Sequence, residues 1–234
     1  MEKSPYGLAA NRSSDTDFRA TPQDLYNDLG KAYEDAYNHN EAQIRSLQWL
    51  LTTLPPTSQI LDLGCGTGIP TCKFLSENGF SVTGIDISSK MLSHARLSAP
   101  KATFIEADIL SYQPSAPSSS SAQDPDAIVA YFSMIGHVTQ NDIRHFFKKV
   151  HSLLAPNGIF IYASVPLEGN EILIQWMDRV FPSSSFTEED TLLEIQAAGF
   201  EIVKHEIVKF RPNRGEESLE ETQIFVYARK KQAA

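Results

Sequence analysis

The sequence predicts an α/β chain built on a mostly parallel sheet with helices on both faces. Three observations carry that expectation. From Gln59 onward, short apolar runs alternate with helix-length segments, the pattern of successive βαβ units. One run, Ile60-Leu61-Asp62-Leu63, leads directly into Gly64-Cys65-Gly66-Thr67-Gly68, three alternate glycines ahead of a helix. Acids close the next two runs, in Gly84-Ile85-Asp86 and Glu106-Ala107-Asp108.

Residues 1–20 are polar without sustained periodicity and read as a flexible leader. Thr21-Pro22-Gln23-Asp24 then offers an N-cap, a proline at the first helical position and an acid at N3. Leu25, Leu29, Tyr33 and Tyr37 follow at every fourth residue, predicting one amphipathic helix. A second helix starts at Asn40, turns Ile44, Leu47, Leu50, Leu51 and Leu54 inward, and stops at Pro55-Pro56. About seven strands are expected beyond it, at 59–63, 81–85, 102–106, 127–132, 159–164, 200–210 and 221–229. Helices between them are signalled by 71–76 and by Ser88 ahead of Met91, Leu92 and Ala95. Thr139 with Asp142 caps a face of Ile143, Phe146, Phe147 and Val150, and Thr187 with Asp190 starts a helix ending near Gly199. Residues 112–126, with Pro114, Pro117, Pro125 and the serines 118–121, read as a flexible insertion. Strand-like patterning resumes beyond it, so one domain over 21–234 is expected, with helices at 21–54 packed over its working edge.

Composition narrows the function. A hydrophobic fraction of 41% and an aromatic fraction of 10% are ordinary for a globular chain, and no apolar run is long enough to span a bilayer. Met1 to Asn11 lacks the apolar stretch of a secretory signal, so the expected compartment is the cytosol, without a membrane partner. A net charge of −9 opposes adhesion to phosphate backbones, which argues against a nucleic-acid partner. Cys65 and Cys72 lie seven apart, a poor arrangement for a disulfide or a zinc site, and read as reduced thiols. The six histidines show no ligand spacing, so no metal is expected.

Glycines after an apolar strand let the backbone turn sharply and let a ligand lie against it. Asp62 discriminates among ligands, because a carboxylate beside this turn repels a pyrophosphate and attracts a cation. The G-x-G-x-G spacing also departs from the G-x-G-x-x-G of nicotinamide sites, and the Gly-Lys-Ser/Thr of a P-loop is absent. Asp86, about 20 residues beyond the glycines, sits where an acid accepts ribose hydroxyls, although it also suits the start of the helix capped by Ser88. Asp108 stands at the same edge, suited to an adenine amino group. Three acids at successive strand ends repel one another unless a ligand donates to them.

Leu61-Asp62-Leu63-Gly64-Cys65-Gly66-Thr67-Gly68, Gly84-Ile85-Asp86-Ile87-Ser88 with Met91-Leu92, Ala107-Asp108 and Leu153-Leu154-Ala155-Pro156-Asn157-Gly158 together resemble the class I S-adenosylmethionine-dependent methyltransferases. The resemblance runs from about Tyr26 to Arg229 and implies a seven-stranded sheet with an antiparallel last strand. It implies a methyl donor across the strand ends, with S-adenosylhomocysteine as the product. On that resemblance Gly64, Cys65, Gly66 and nearby backbone hold the methionine part and Asp62 anchors its ammonium. Asp86 takes the ribose, Ile87 and Met91 the adenine face, Asp108 and Ile109 the adenine edge. Tyr33 approaches the methionine part from a covering helix, and the Phe132 backbone borders the cofactor.

For the acceptor, His137 in Phe132-Ser133-Met134-Ile135-Gly136-His137 stands where family members line the transfer site, a position equally suited to packing or capping. The Asn/Asp-Pro-Pro-aromatic motif of nucleic-acid N-methyltransferases is missing there. Ile172, Leu173, Trp176, Met177 and Phe181 suggest a helix over the site. Trp176 and Met177, with Tyr37 and His39 opposite, then surround a partly apolar small molecule. The expected activity is metal-independent, in-line methyl transfer to N, O or S. The alternative is a protein that binds S-adenosylmethionine without methylating, as a cyclase-type enzyme or a regulatory subunit.

Overall fold

Thr21 opens the described helices as its sequence requires: its hydroxyl accepts from the Asp24 N–H while the Asp24 carboxylate accepts from the Thr21 backbone. The structure is a computed structural model and describes residues 7–8, 21–114, 124–214 and 218–231. In chain order the elements are β1 (Gly7–Leu8), α1 (Pro22–Leu29), α2 (Lys31–Tyr37), α3 (Glu41–Thr53), β2 (Gln59–Leu63), α4 (Thr71–Glu77), β3 (Ser81–Asp86), α5 (Ser89–Ser98) and β4 (Thr103–Glu106). They continue with β5 (Ala127–Tyr131), α6 (Gln140–Leu153), β6 (Ile159–Ser164), β7 (Gly169–Trp176), β8 (Arg179–Ser185), α7 (Glu188–Ala197), β9 (Phe200–Phe210) and β10 (Glu221–Lys230). Apart from Gly7–Leu8, the leader expected over 1–20 lies outside the described residues, as do residues 115–123 of the expected insertion.

Seven strands form one sheet in the order β4-β3-β2-β5-β6-β10-β9. β10 runs antiparallel to both β6 and β9, and the pairs among β2 to β6 are parallel. Alternation along the strands sends Leu61, Leu63, Ile128 and Ala130 to a core with α6 and α7. Ile60, Ala127, Val129 and Tyr131 pack with residues of α3, α4 and α5 on the opposite face. The chain leaves β2 toward β3 and β4 in one direction and returns through β5 to β6 in the other. A crevice therefore opens between the C-terminal ends of β2 and β5, the switch point where open α/β sheets hold ligands.

Two expectations are corrected. The helix read from Leu25 to Tyr37 breaks at Gly30, which adopts φ 48° and ψ −130°, so α1 and α2 are separate and turn their faces independently. The helix read over Ile172 to Phe181 is instead the hairpin β7–β8, joined by Met177 and Asp178 at φ 47° and 60°. Ile172, Ile174 and Trp176 face inward while Leu173 and Gln175 face out, a period of two that seven apolar residues within ten positions disguise. β1 pairs with the outer edge of this hairpin, Gly7 opposite Gln175 and Leu8 opposite Ile174, inside the segment read as leader. Asp28 of α1 pairs with Arg179 of β8, and Leu25 and Leu29 pack with Ile174 and Phe181, so hairpin and N-terminal helix close over the crevice together.

Candidate active site

The glycine turn is held to the next strand before any ligand is considered. Gly64 and Cys65 donate their N–H groups to the Ile85 carbonyl at 2.8 and 2.9 Å, and Gly68 donates to the Cys65 carbonyl at 2.9 Å. Gly64 and Gly66 both need positive φ, 82° and 54°. A Cβ at Gly64 would stand 2.3 Å from the Ser133 Cβ, whereas one at Gly66 would meet nothing within 4 Å and project into open space.

The three acids are less bare than their spacing suggests. Asp86 accepts from the Gly66 N–H and, through its other oxygen, from the Ser88 N–H, both at 2.8 Å. It thus fills the turn-forming role and faces the crevice as well, and an alanine there would strip two backbone donors of their partner. Burial raises its pKa. Asp62 is buried and accepts the Cys72 thiol at 3.2 Å; burial pushes its carboxyl up to about 7. Asp108 accepts from the Leu110 N–H at 2.9 Å. Cys65 and Cys72 are free and buried. Among the described residues no group of three or more His, Cys, Asp or Glu is placed to hold a metal, and no helix is long and apolar enough to cross a membrane.

A cavity of about 290 Å³ lies over the crevice. Gly64, Gly66, Asp86, Ile87, Met91, Asp108 and Ile109 line it from the first three strand ends, and Phe132 and His137 from the loop after β5, with Tyr33 above. Phe132 and His137 both hold positive φ, 59° and 57°, a strained conformation for bulky side chains. The His137 ring stacks on Phe181 at 5.3 Å and its backbone N–H donates to the Pro182 carbonyl, which ties this loop to β8. Asp62 and Cys65 do not line this space. They border a smaller polar cavity of about 50 Å³ on the other side of the glycine turn, with Tyr33, Glu34 and Asn40.

A third cavity, also about 50 Å³, is walled by Tyr26, Tyr33, Tyr37, Trp176 and Phe181 and shares Tyr26, Tyr33, Phe132 and Gly136 with the cavity over the crevice. The Trp176 ring N–H donates to the Tyr37 hydroxyl, which donates in turn to Glu221 Oε1, each at 2.8 Å. Burial holds Tyr26 at about 12 and pushes Tyr33 and Tyr37 well above the usual phenol range, so these hydroxyls act as donors near neutral pH. His39 and Met177 line none of the three cavities: His39 is exposed against Phe210, and Met177 is taken up by the hairpin turn. Tyr26 and Glu221 are lining residues that sequence reasoning passed over. Tyr26 lies off the Leu25–Leu29 stripe, and Glu221 opens the strand read at 221–229, where nothing local marks its side chain as buried.

Residues 60–158, which hold the glycine turn and both strand-end acids, match the family model described as a methyltransferase domain. YqeM of Bacillus subtilis strain 168, which is named as a methyltransferase, is 30% identical over 173 residues, covering 71% of this chain and 63% of its own length. The chain carries a methyltransferase domain over residues 60–158, and its fold is that of class I S-adenosylmethionine-dependent methyltransferases. The magnesium protoporphyrin IX methyltransferase of Synechocystis PCC 6803, solved with S-adenosylmethionine, shares this class I fold at a TM-score of 0.68 and 18% identity, over 94% of this chain and 100% of that one. The 1,6-didemethyltoxoflavin N1-methyltransferase of Burkholderia thailandensis does so at 0.66 and 18%, over 96% and 94%. At such identities the likeness is one of fold. The chain spans less than two thirds of the length of the first curated relatives it matches.

Proposed function

We propose that this protein transfers a methyl group from S-adenosylmethionine to a small, partly apolar molecule. One observation carries the reading: the cavity at the β2–β5 switch point shares its Tyr26, Tyr33, Phe132 and Gly136 wall with the aromatic cavity, so donor and acceptor spaces meet. The residues present fit the donor. Gly66 leaves open the space a side chain would fill, and Asp86, Ile87, Asp108 and Ile109 offer carboxylates and apolar faces to ribose and adenine. Gly64 and Gly66 border both the large cavity and the polar one, which supports Asp62 as the anchor of the methionine ammonium.

Bound there, S-adenosylmethionine supplies a methyl group already activated on a sulfonium. The leaving thioether is neutral, so the displacement calls for alignment and loss of water more than for a Lewis acid. The hairpin, α1 and α2 supply both by walling the acceptor space with aromatic rings. Phe132 lies in the shared wall, and His137 lines the donor side and stacks on Phe181 of the aromatic cavity, which supports a role in orienting an acceptor or taking its proton.

Incubation with S-adenosylmethionine and panels of small amines, phenols, acids and thiols, read by mass spectrometry, tests the reading. A product heavier by one methylene unit, together with S-adenosylhomocysteine, supports it; an isomer of unchanged mass would point to rearrangement instead. His137→Ala is expected to lower turnover while leaving S-adenosylhomocysteine affinity in place, and unchanged turnover would leave His137 a packing residue.

A further inference from the structure

The loop after β4 forms one end of the switch-point cavity. β4 is the outermost strand, so this loop has a strand beside it on one side only, where the Ala107 N–H donates to the Asp86 carbonyl at 3.0 Å. A second tie comes from α6. Lys149 of that helix donates from Nζ to the Ile109 carbonyl at 3.0 Å and to the Leu110 carbonyl at 2.9 Å. The Ile109 carbonyl and the Leu110 N–H belong to one planar peptide unit, and that N–H donates to Asp108 Oδ1 at 2.9 Å. Lys149, the peptide and the Asp108 carboxylate therefore form one hydrogen-bonded chain, in which each bond polarises the next. Burial draws the Lys149 pKa down and the Asp108 charge draws it back up, as expected of two charges facing each other across this peptide.

Resting on the methyl-donor reading, we propose that Lys149 is a positioning residue: it fixes the Asp108 carboxylate for the 6-amino group of adenine and so sets the choice of adenine over other purines. Asp108, Ile109 and Leu110 line the cavity while Lys149 does not, so Lys149 acts through them. A carboxylate with one oxygen engaged by Leu110 turns its remaining acceptor positions to the cavity, and these accept from an amino group. A purine with an oxygen at that position sets an acceptor against an acceptor and leaves the carboxylate unpaired by the ligand. With the Ile109 carbonyl released from Lys149, the peptide is free to rotate and the carboxylate loses its fixed direction. The cost falls on recognition of the amino group, because the ribose and methionine parts are assigned to Asp86 on β3 and to the glycine turn after β2.

S-adenosylhomocysteine and S-inosylhomocysteine, which carries an oxygen in place of the 6-amino group, are titrated by calorimetry into the full chain and into its Lys149→Met and Lys149→Arg variants. The unaltered chain is expected to bind the adenosyl ligand roughly tenfold or more tightly than the inosyl one. Lys149→Met keeps an unbranched stem and removes the donors, and should bring the two affinities to within about twofold of each other by weakening the adenosyl ligand alone. Lys149→Arg, whose guanidinium can donate to both carbonyls, should restore most of the preference. A preference that survives Lys149→Met would overturn the proposal. So would a loss shared equally by both ligands, because a merely supporting role weakens every ligand alike. Circular dichroism reports whether each variant is folded; where Lys149→Met is not, the neutral and shorter Lys149→Gln takes its place with the same expectation. Equal binding of the two ligands by the unaltered chain would also overturn the proposal, whichever variants fold. Failure of both ligands to bind the unaltered chain is a different result, which overturns the methyl-donor reading and the proposal with it.

Discussion

Gly64 and Gly66 share one motif and one sign of φ, yet the same substitution should do different things to them. Gly64→Ala drives a Cβ to 2.3 Å from that of Ser133 and is expected to cost about 1–3 kcal/mol of stability, seen as a lower thermal midpoint. Gly66→Ala adds its methyl to open cavity space at a φ that alanine tolerates for about 1 kcal/mol. Its larger effect is expected on S-adenosylhomocysteine affinity, measured by calorimetry; affinity kept at the original level would remove Gly66 from the site. Asp62 offers a test of charge. Burial raises its carboxyl from 3.8 to about 7, so the folded chain holds this proton more tightly than the unfolded one. The stability tied to that proton is complete below about 3.8 and is lost as pH rises to about 7. An ammonium brought beside Asp62 pulls its pKa back down. Binding of S-adenosylhomocysteine near neutral pH is therefore expected to release protons, seen as heats that vary with buffer ionisation enthalpy. Heats independent of buffer, or a release that persists in Asp62→Asn, would contradict this anchor. Residues such as Asp86 were legible because chemistry and strand-end position coincide. Glu221 was hidden because its burial comes from β10 pairing between β6 and β9, which no local pattern announces.

Elements were legible where a local interaction decides them. Thr21, Thr139 and Thr187 each accept the N–H of the residue three positions on, as their spacing to Asp24, Asp142 and Asp190 predicts. The bounds of β2, β6 and β9 coincide with the apolar runs read at 59–63, 159–164 and 200–210. The hairpin escaped because its turn, Met177-Asp178, lacks the Asn-Gly chemistry that marks a two-residue connection with both φ positive. That mismatch gives the element its own prediction. Asp178 is exposed at φ 60°, so Asp178→Gly is expected to stabilise the chain by up to about 1 kcal/mol. Ligand affinities should stay unchanged, because the turn lines none of the three cavities. A thermal midpoint that falls would mean the hairpin does not hold this turn in solution.

At the scale of the whole molecule, the sheet order places two loops from opposite branches of the chain at one crevice, and both carry backbone that only a glycine or a strained residue adopts. The parallel half was readable because each βα unit repeats one pattern. The covering layer of α1, α2 and the β7–β8 hairpin was not, since its partners lie far apart in sequence, 151 residues for Asp28 and Arg179 and 184 for Tyr37 and Glu221. The aromatic cavity is made largely by that layer, which is why its lining emerged only from the structure. The claim beneath every other is that the switch-point cavity holds the methyl donor. Calorimetric titration of the full chain with S-adenosylmethionine and, separately, S-adenosylhomocysteine tests it most directly. One saturable site for each is expected; flat heats for both would leave a class I fold whose cavity serves some other ligand.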